Sequence, residues 1–333
     1  MAERLHTLSI VIPVYRGAET LDGMIKEIAP LVEPFVTPAG HSARVAEVLL
    51  VHDCGPDDSD EVIRRLAATH DWVRPVWLSR NYGQHPATLA GMASSGGDWV
   101  ATLDEDGQHD PAYLAPMLDD ALAQQADVIY ADPLNAAPHG FLRNLASRTA
   151  KSSLRWITGT PQARSFNSYR LVLGEIARSV AAYAGSGVYL DVALGWVARR
   201  VRTSPVVLRD EGGRRSGYRM RTLLSHYWRM VLTGGTRLLR TVSLLGFVLA
   251  AIGLVLAVVL VWLWLADSID VAGWTSLAVV SLISSGFILF ALGVVAEYIG
   301  VAVNMAMGKP LYVIVGDSRD GPLGGAADEA GAR

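Results

Sequence analysis

The sequence holds one cysteine, Cys54, so no intrachain disulfide can staple the fold and no cysteine cluster can hold zinc. Neither sign of charge is in surplus: 29 Lys and Arg stand against 32 Asp and Glu, which gives no general attraction to nucleic acid. No amino-terminal signal peptide is expected, because the apolar segment Leu8 to Tyr15 is short, contains Pro13 and reads as a strand. No GxxxxGK[ST], HExxH or GxSxG occurs, and GSGVYLD from Gly185 lacks the third glycine of a dinucleotide fingerprint. Internal repeats are absent too. These absences exclude a disulfide scaffold, a P-loop nucleotidase, a zinc protease and a serine hydrolase of the nucleophile-elbow type.

Long apolar runs, by contrast, are plentiful. Thr241 to Ala266 carries no charge and would reach about 38 Å as a helix, enough to cross a bilayer with tilt. A second run, Val271 to Ala296, has Trp274 near one end and Glu297 with Tyr298 just beyond the other. Only Asp267 and Asp270 charge the connection, while Arg219, Arg221, Arg229, Arg237 and Arg240 crowd the approach and Lys309 and Arg319 follow the second run. By the positive-inside rule both termini face the cytoplasm. The basic approach then faces anionic lipid headgroups rather than nucleic acid.

From Leu8 to Tyr130, the strand-like segments LSIVIPVY, VAEVLLV, VRPVWL, WVATL and DVIY alternate with amphipathic or turn-rich stretches. That alternation predicts a mostly parallel α/β sheet with helices on both faces. HDCGPDDSD, SRNYGQHP and DEDGQHDP each follow a strand, so they open at one sheet edge and share a cleft. RNLASRTAKSSLRWITG reads as a flap or an exposed helix. We expect a catalytic domain over 1–220, an amphipathic interfacial helix over 221–240, a two-helix transmembrane hairpin over 241–304, and a partly disordered cytoplasmic tail over 305–333.

The apolar strand Trp99 to Leu103 stops at Asp104, Glu105 and Asp106. Carboxylates one residue apart at a carboxyl edge offer hard oxygen ligands for Mg²⁺ or Mn²⁺ beside a phosphorylated substrate. Glu105, between them on extended chain, points the other way. His109 is a candidate further ligand, with a hydrogen-bonding role as the alternative. Asp53 sits where a carboxylate can accept from a base or ribose, Pro13 and Tyr15 can wall a flat ring, and Asp57, Asp58 and Ser59 suit a helix cap. Arg209, Arg214, Arg215 and Tyr218 suit a phosphate clamp or the membrane surface.

With SIVIPVYRGAETL, VLLVHDCGPDDS, LSRNYGQHPATLAGM, TLDEDGQHDP, RSGY, AEYIG and GKPLYVI in order, the chain resembles the family 2 glycosyltransferases. The likeness is to their membrane-anchored polyprenyl-phosphate members, related to dolichol-phosphate mannose synthase. NYGQH is similar to the branch containing undecaprenyl-phosphate 4-deoxy-4-formamido-arabinose transferase. The resemblance implies a GT-A type domain and inverting transfer from a nucleotide-sugar, UDP-linked rather than GDP-linked, to a polyprenyl phosphate.

It implies catalytic roles for Asp104, Asp106, Asp191 and Arg215, with Asp191 positioning rather than acting as a strong base, since a phosphate acceptor is already ionised. Donor binding falls to Pro13, Tyr15, Asp53, Asn81, Gln84, Asp104 and Glu105. Acceptor phosphate binding falls to Arg143, Arg209, Arg215, Ser216 and Tyr218, and metal binding to Asp104, Asp106 and His109. His52 and Cys54 depart from the acidic residue and glycine usual around Asp53. The expected partners are the donor, the acceptor and the bilayer, with homo-oligomer formation left open and the location that of a bacterial inner-membrane protein. The competing readings are a processive polysaccharide synthase, whose QxxRW signature GWVARR does not supply, and a non-catalytic membrane scaffold or flippase.

Overall fold

The computed structural model describes residues 4–135, 166–185, 188–209, 237–265 and 273–321. The strands are β1 (His6–Val14), β2 (Phe35–Val36), β3 (Ser42–His52), β4 (Val73–Leu78), β5 (Trp99–Thr102), β6 (Val128–Pro133), β7 (Arg170–Leu173), β8 (Val201–Val206) and β9 (Ile314–Val315). The helices are α1 (Leu21–Ile28), α2 (Ser59–Thr69), α3 (Gln84–Ser94), α4 (Leu114–Gln124), α5 (Gly174–Tyr183), α6 (Leu190–Val197), α7 (Arg237–Leu265) and α8 (Trp274–Ala306).

One nine-stranded sheet runs in the order β8-β6-β7-β5-β1-β3-β4-β9, with β2 against β3. The pairs β1 with β3, β1 with β5, β3 with β4 and β6 with β8 are parallel. The predicted parallel strands form the centre of a mixed sheet: the short β2 and β9 pair antiparallel with β3 and β4, and β7 lies antiparallel between β5 and β6. Its sequence RLVL is too short to display periodicity, and only its two distant partners define it as a strand.

Successive residues of β1 feed opposite faces. Leu8, Ile10, Ile12 and Val14 join α1, α2 and α4 in one core cluster, while Val11 joins α3, α5 and α6 in the other. Both faces are covered, so β1 is apolar almost throughout. Helix α3 approaches closely because of Gly91, where a Cβ would lie 2.3 Å from Val11 Cγ1. Pro205 is tolerated in β8 because β8 is an edge strand.

Helices α7 and α8 run for 29 and 33 residues. Each contains a window long and apolar enough to cross a membrane, and only 6% of each window is buried. A core helix would be mostly buried, so this exposure favours lipid as its surroundings. Helix α8 continues ten residues past the apolar run that ends at Ala296, passing through Gly300 and stopping just before Gly308, whose φ is +62°. The chain then returns to the sheet: β9 pairs with β4, and Ser79 N–H donates to Val313 O at 3.0 Å. Asp317 takes a two-point bond from Arg64 of α2 at 2.6 and 2.8 Å. Of the expected interfacial helix, residues 221–236 lie outside the described residues.

Candidate active site

The loops after β1, β3, β4 and β5 meet at one sheet edge, and carboxylates tie them together. Gly55 is required at the first crossing, where a Cβ would lie 1.6 Å from Tyr15 O. Asp53 N–H donates to Val14 O at 2.8 Å. Its carboxylate accepts from Tyr82 N–H at 2.7 Å and Gly83 N–H at 2.8 Å. Gly83, the first-cap residue of α3, has no side chain to offer, so Asp53 caps that helix from the loop after β3. Only 3% of Asp53 is exposed, and burial pushes its carboxyl above the usual range despite the two amides.

Glu105 clamps the first loop. Its carboxylate accepts from Tyr15 N–H at 2.8 Å and from Arg16 N–H at 2.9 and 3.0 Å. Burial raises its pKa as well, against those same bonds. Thus Asp53 and Glu105 both serve the backbone of the loops that form the cleft.

Asp104 is held by neutral donors. Gln84 Nε2 lies 2.5 Å from its Oδ1, and Ser168 Oγ lies 2.5 Å from its Oδ2. Its own N–H donates to His109 Nδ1 at 2.9 Å. Asp106 is exposed and accepts from Gln108 N–H at 3.0 Å. His109 is buried and stacks on Tyr169, with ring centroids 4.8 Å apart. Burial lowers its pKa against the pull of Asp104 and Asp106. Since Nδ1 accepts an amide proton, the ring proton sits on Nε2, 3.9 Å from Asp104 Oδ2. The contact with the Asp104 N–H is the hydrogen-bonding role named as the alternative for His109, and it latches the loop.

These groups surround a cleft of about 330 Å³. Every residue expected to bind the donor lines it: Pro13, Tyr15, Asp53, Asn81, Gln84, Asp104 and Glu105, together with Asp106. Among the described residues no group of three or more His, Cys, Asp or Glu surrounds one point. The donor set is a two-carboxylate edge, which suits a Mg²⁺ or Mn²⁺ ion shared with substrate phosphates rather than caged by protein.

Other expected residues lie apart from this cleft. Asp191 is enclosed, with 2% exposure; it pairs with buried Arg170 and accepts from Tyr130 Oη at 2.8 Å. Arg170 Nε in turn donates to Thr102 Oγ1 at 3.1 Å. Arg209 salt-bridges Glu27 at 2.6 Å and Asp110 at 2.9 Å, and its N–H donates to Gln108 O at 3.1 Å. It braces the far side of the DEDGQHDP loop. Arg143, Arg215, Ser216 and Tyr218 lie outside the described residues. Sequence reading missed Ser168, which reaches Asp104 from just before β7, and Arg170, which ties β7 to Thr102 and Asp191 behind the cleft.

A family model described as Glycosyl transferase family 2 matches residues 9–183, more than half of the 333-residue chain. The chain belongs to glycosyl transferase family 2. As a glycosyltransferase of that family it carries the expected GT-A type α/β domain, and its likeness to curated relatives extends into the two apolar helices. It is 28% identical over 310 residues to the undecaprenyl-phosphate 4-deoxy-4-formamido-L-arabinose transferase of Aeromonas hydrophila, covering 92% of each chain. Against the transferase of the same name from Yersinia enterocolitica it is 29% identical over 318 residues, 94% of each. Among solved structures, glucosyl-3-phosphoglycerate synthase of Mycobacterium tuberculosis with phosphoglyceric acid is 18% identical. The TM-score is 0.47, over 69% of this chain and 79% of that one.

Proposed function

We propose that this glycosyltransferase moves a sugar from a nucleotide-sugar, UDP-linked, to a polyprenyl phosphate, with inversion, on the cytoplasmic side of the membrane. The observation that carries this reading is the cleft that Asp104 and Asp106 line together with Pro13, Tyr15, Asn81 and Gln84. The names of the relatives, which specify undecaprenyl phosphate, support the acceptor class. Arg237, Arg240 and Lys309 against Asp267 and Asp270 support the cytoplasmic side.

Each residue has a physical task. Asp53 and Glu105 hold the loops that form the donor walls, while Gln84 and Ser168 fix the carboxylate of Asp104. Asp104 and Asp106 would hold a divalent ion, which when bound neutralises charge on the diphosphate leaving group. A phosphate acceptor needs no proton removed before it attacks the anomeric carbon. The enclosed Asp191, committed to Arg170, suits that economy: it positions the strands behind Asp104 and does not serve as a base.

The reading is tested with purified full-length protein in nanodiscs, undecaprenyl phosphate, Mg²⁺ or Mn²⁺ and a panel of radiolabelled UDP- and GDP-sugars. A lipid bearing one sugar, lost on chelation of the metal, is expected. A polymer, or no transfer from any donor, contradicts it.

A further inference from the structure

A second cavity, of about 480 Å³, lies at the foot of α8. Met305, in the last turn of that helix, forms one wall, and Gly185 packs so near that a Cβ there would lie 3.3 Å from Met305 Cγ. Lys309 and Leu311, on the segment that returns to pair with β4, form another. Tyr183, Val188 and Trp196 complete the lining. The catalytic domain leaves Tyr183 88% and Trp196 61% exposed, two large rings beside the end of an apolar helix. Lys309 is the one charged residue in the lining.

This groove adjoins the donor cleft. Val188 leads into Tyr189, whose ring centroid is 4.0 Å from that of His85. His85 is followed back one residue by Gln84, the residue that donates to Asp104. The Tyr189–His85 ring contact therefore connects the residue after Val188 of the groove to the residue after Gln84 of the cleft.

We propose that this groove seats the isoprene units next to the phosphate of the lipid acceptor, with Lys309 drawing the phosphate toward the cleft; this rests on the function proposed above. A chain lying along α8 reaches Trp196 and Tyr183 without exposing its length to water, which apolar surface disfavours. The volume falls in the range of small-ligand sites. A single cation matches a single lipid phosphate, and the Tyr189–His85 contact sets the groove beside Gln84, the neighbour of Asp104.

The test uses full-length protein in nanodiscs and a farnesyl phosphate probe carrying a benzophenone at its far end. Crosslinks are expected in 183–196 and 305–311, suppressed by undecaprenyl phosphate and not by equal phosphatidylglycerol. In parallel, Trp196→Ala and Lys309→Ala are expected to raise the KM for undecaprenyl phosphate at least tenfold, with the KM for the nucleotide-sugar and the Tm unchanged. Crosslinks elsewhere, equal competition by phosphatidylglycerol, or acceptor KM values within twofold of wild type overturn the groove. If wild-type protein transfers sugar to the lipid and the variants match it, the groove fails and the proposed function stands. If specific crosslinking occurs without transfer from any donor, the proposed reaction fails and the groove stands.

Discussion

Asp104 and Asp191 are the same residue type at two ends of one hydrogen-bonded region, yet their surroundings differ completely. Asp104 lines an open cleft and rests on an amide and a hydroxyl. Asp191 is enclosed and faces a buried guanidinium. A carboxylate held by neutral groups keeps its charge available to a cation, whereas one neutralised by arginine has its charge committed. The carboxyl-edge loops are therefore where chemistry is expected, and the β6-β7-β8 side supplies the support behind them.

The comparison is broken most severely at Arg170. Arg170→Leu leaves Asp191 buried without its partner, and about 3–5 kcal/mol of stability should be lost, read as a large fall in Tm or in the denaturant midpoint. Asp104→Asn keeps shape and burial but removes charge at the cleft. It should lower kcat by about 10²- to 10³-fold, the scale seen when one electrostatic stabiliser is removed, with little change in Tm.

Asp53→Ala strips the cap from α3 and orphans the Tyr82 and Gly83 amides. A cost of about 1–3 kcal/mol is expected, with weakened UDP binding by calorimetry. The same carboxylate gives a pH signature. Its folded-state pKa is raised by burial, so its stabilising contribution is complete below the ordinary carboxylate pKa and is lost as pH rises through the raised value. Tm measured against pH should therefore show the advantage of wild type over Asp53→Asn shrinking from acid toward neutral pH; a constant gap contradicts this. The smallest effect is at Cys54, held at φ +49°, a left-handed conformation that costs a non-glycine residue about 1 kcal/mol. Its thiol donates to Leu78 O at 3.1 Å, which offsets part of that strain. Cys54→Gly should raise stability by less than about 1 kcal/mol in chemical denaturation.

The parallel strands were legible because strands covered on both faces must be apolar throughout: LSIVIPVY, VLLV and WVAT announce β1, β3 and β5. The strand ends then placed the cleft, and the expected donor residues all line it. What the sequence could not display was the approach of one loop to another. Asp53 and Glu105 read as ligand contacts, yet their bonds go to backbone amides far along the chain. RLVL gave no periodic signal for β7, and Ile314–Val315 becomes a strand only because the β4 edge is there to receive it. His109 illustrates the same gap: its spacing suggests a ligand, and only the Asp104 N–H contact reveals which nitrogen bears the proton.

The most direct test measures lipid-sugar formation and thermal unfolding side by side for Asp104→Asn and Asp191→Asn. Asp104→Asn should unfold with wild type and lose transfer by at least a hundredfold, while Asp191→Asn should unfold at clearly lower temperature and retain transfer in its folded fraction. An Asp104→Asn protein active within a few fold of wild type, or a stable Asp191→Asn protein without transfer, would contradict the assignment of the working carboxylate.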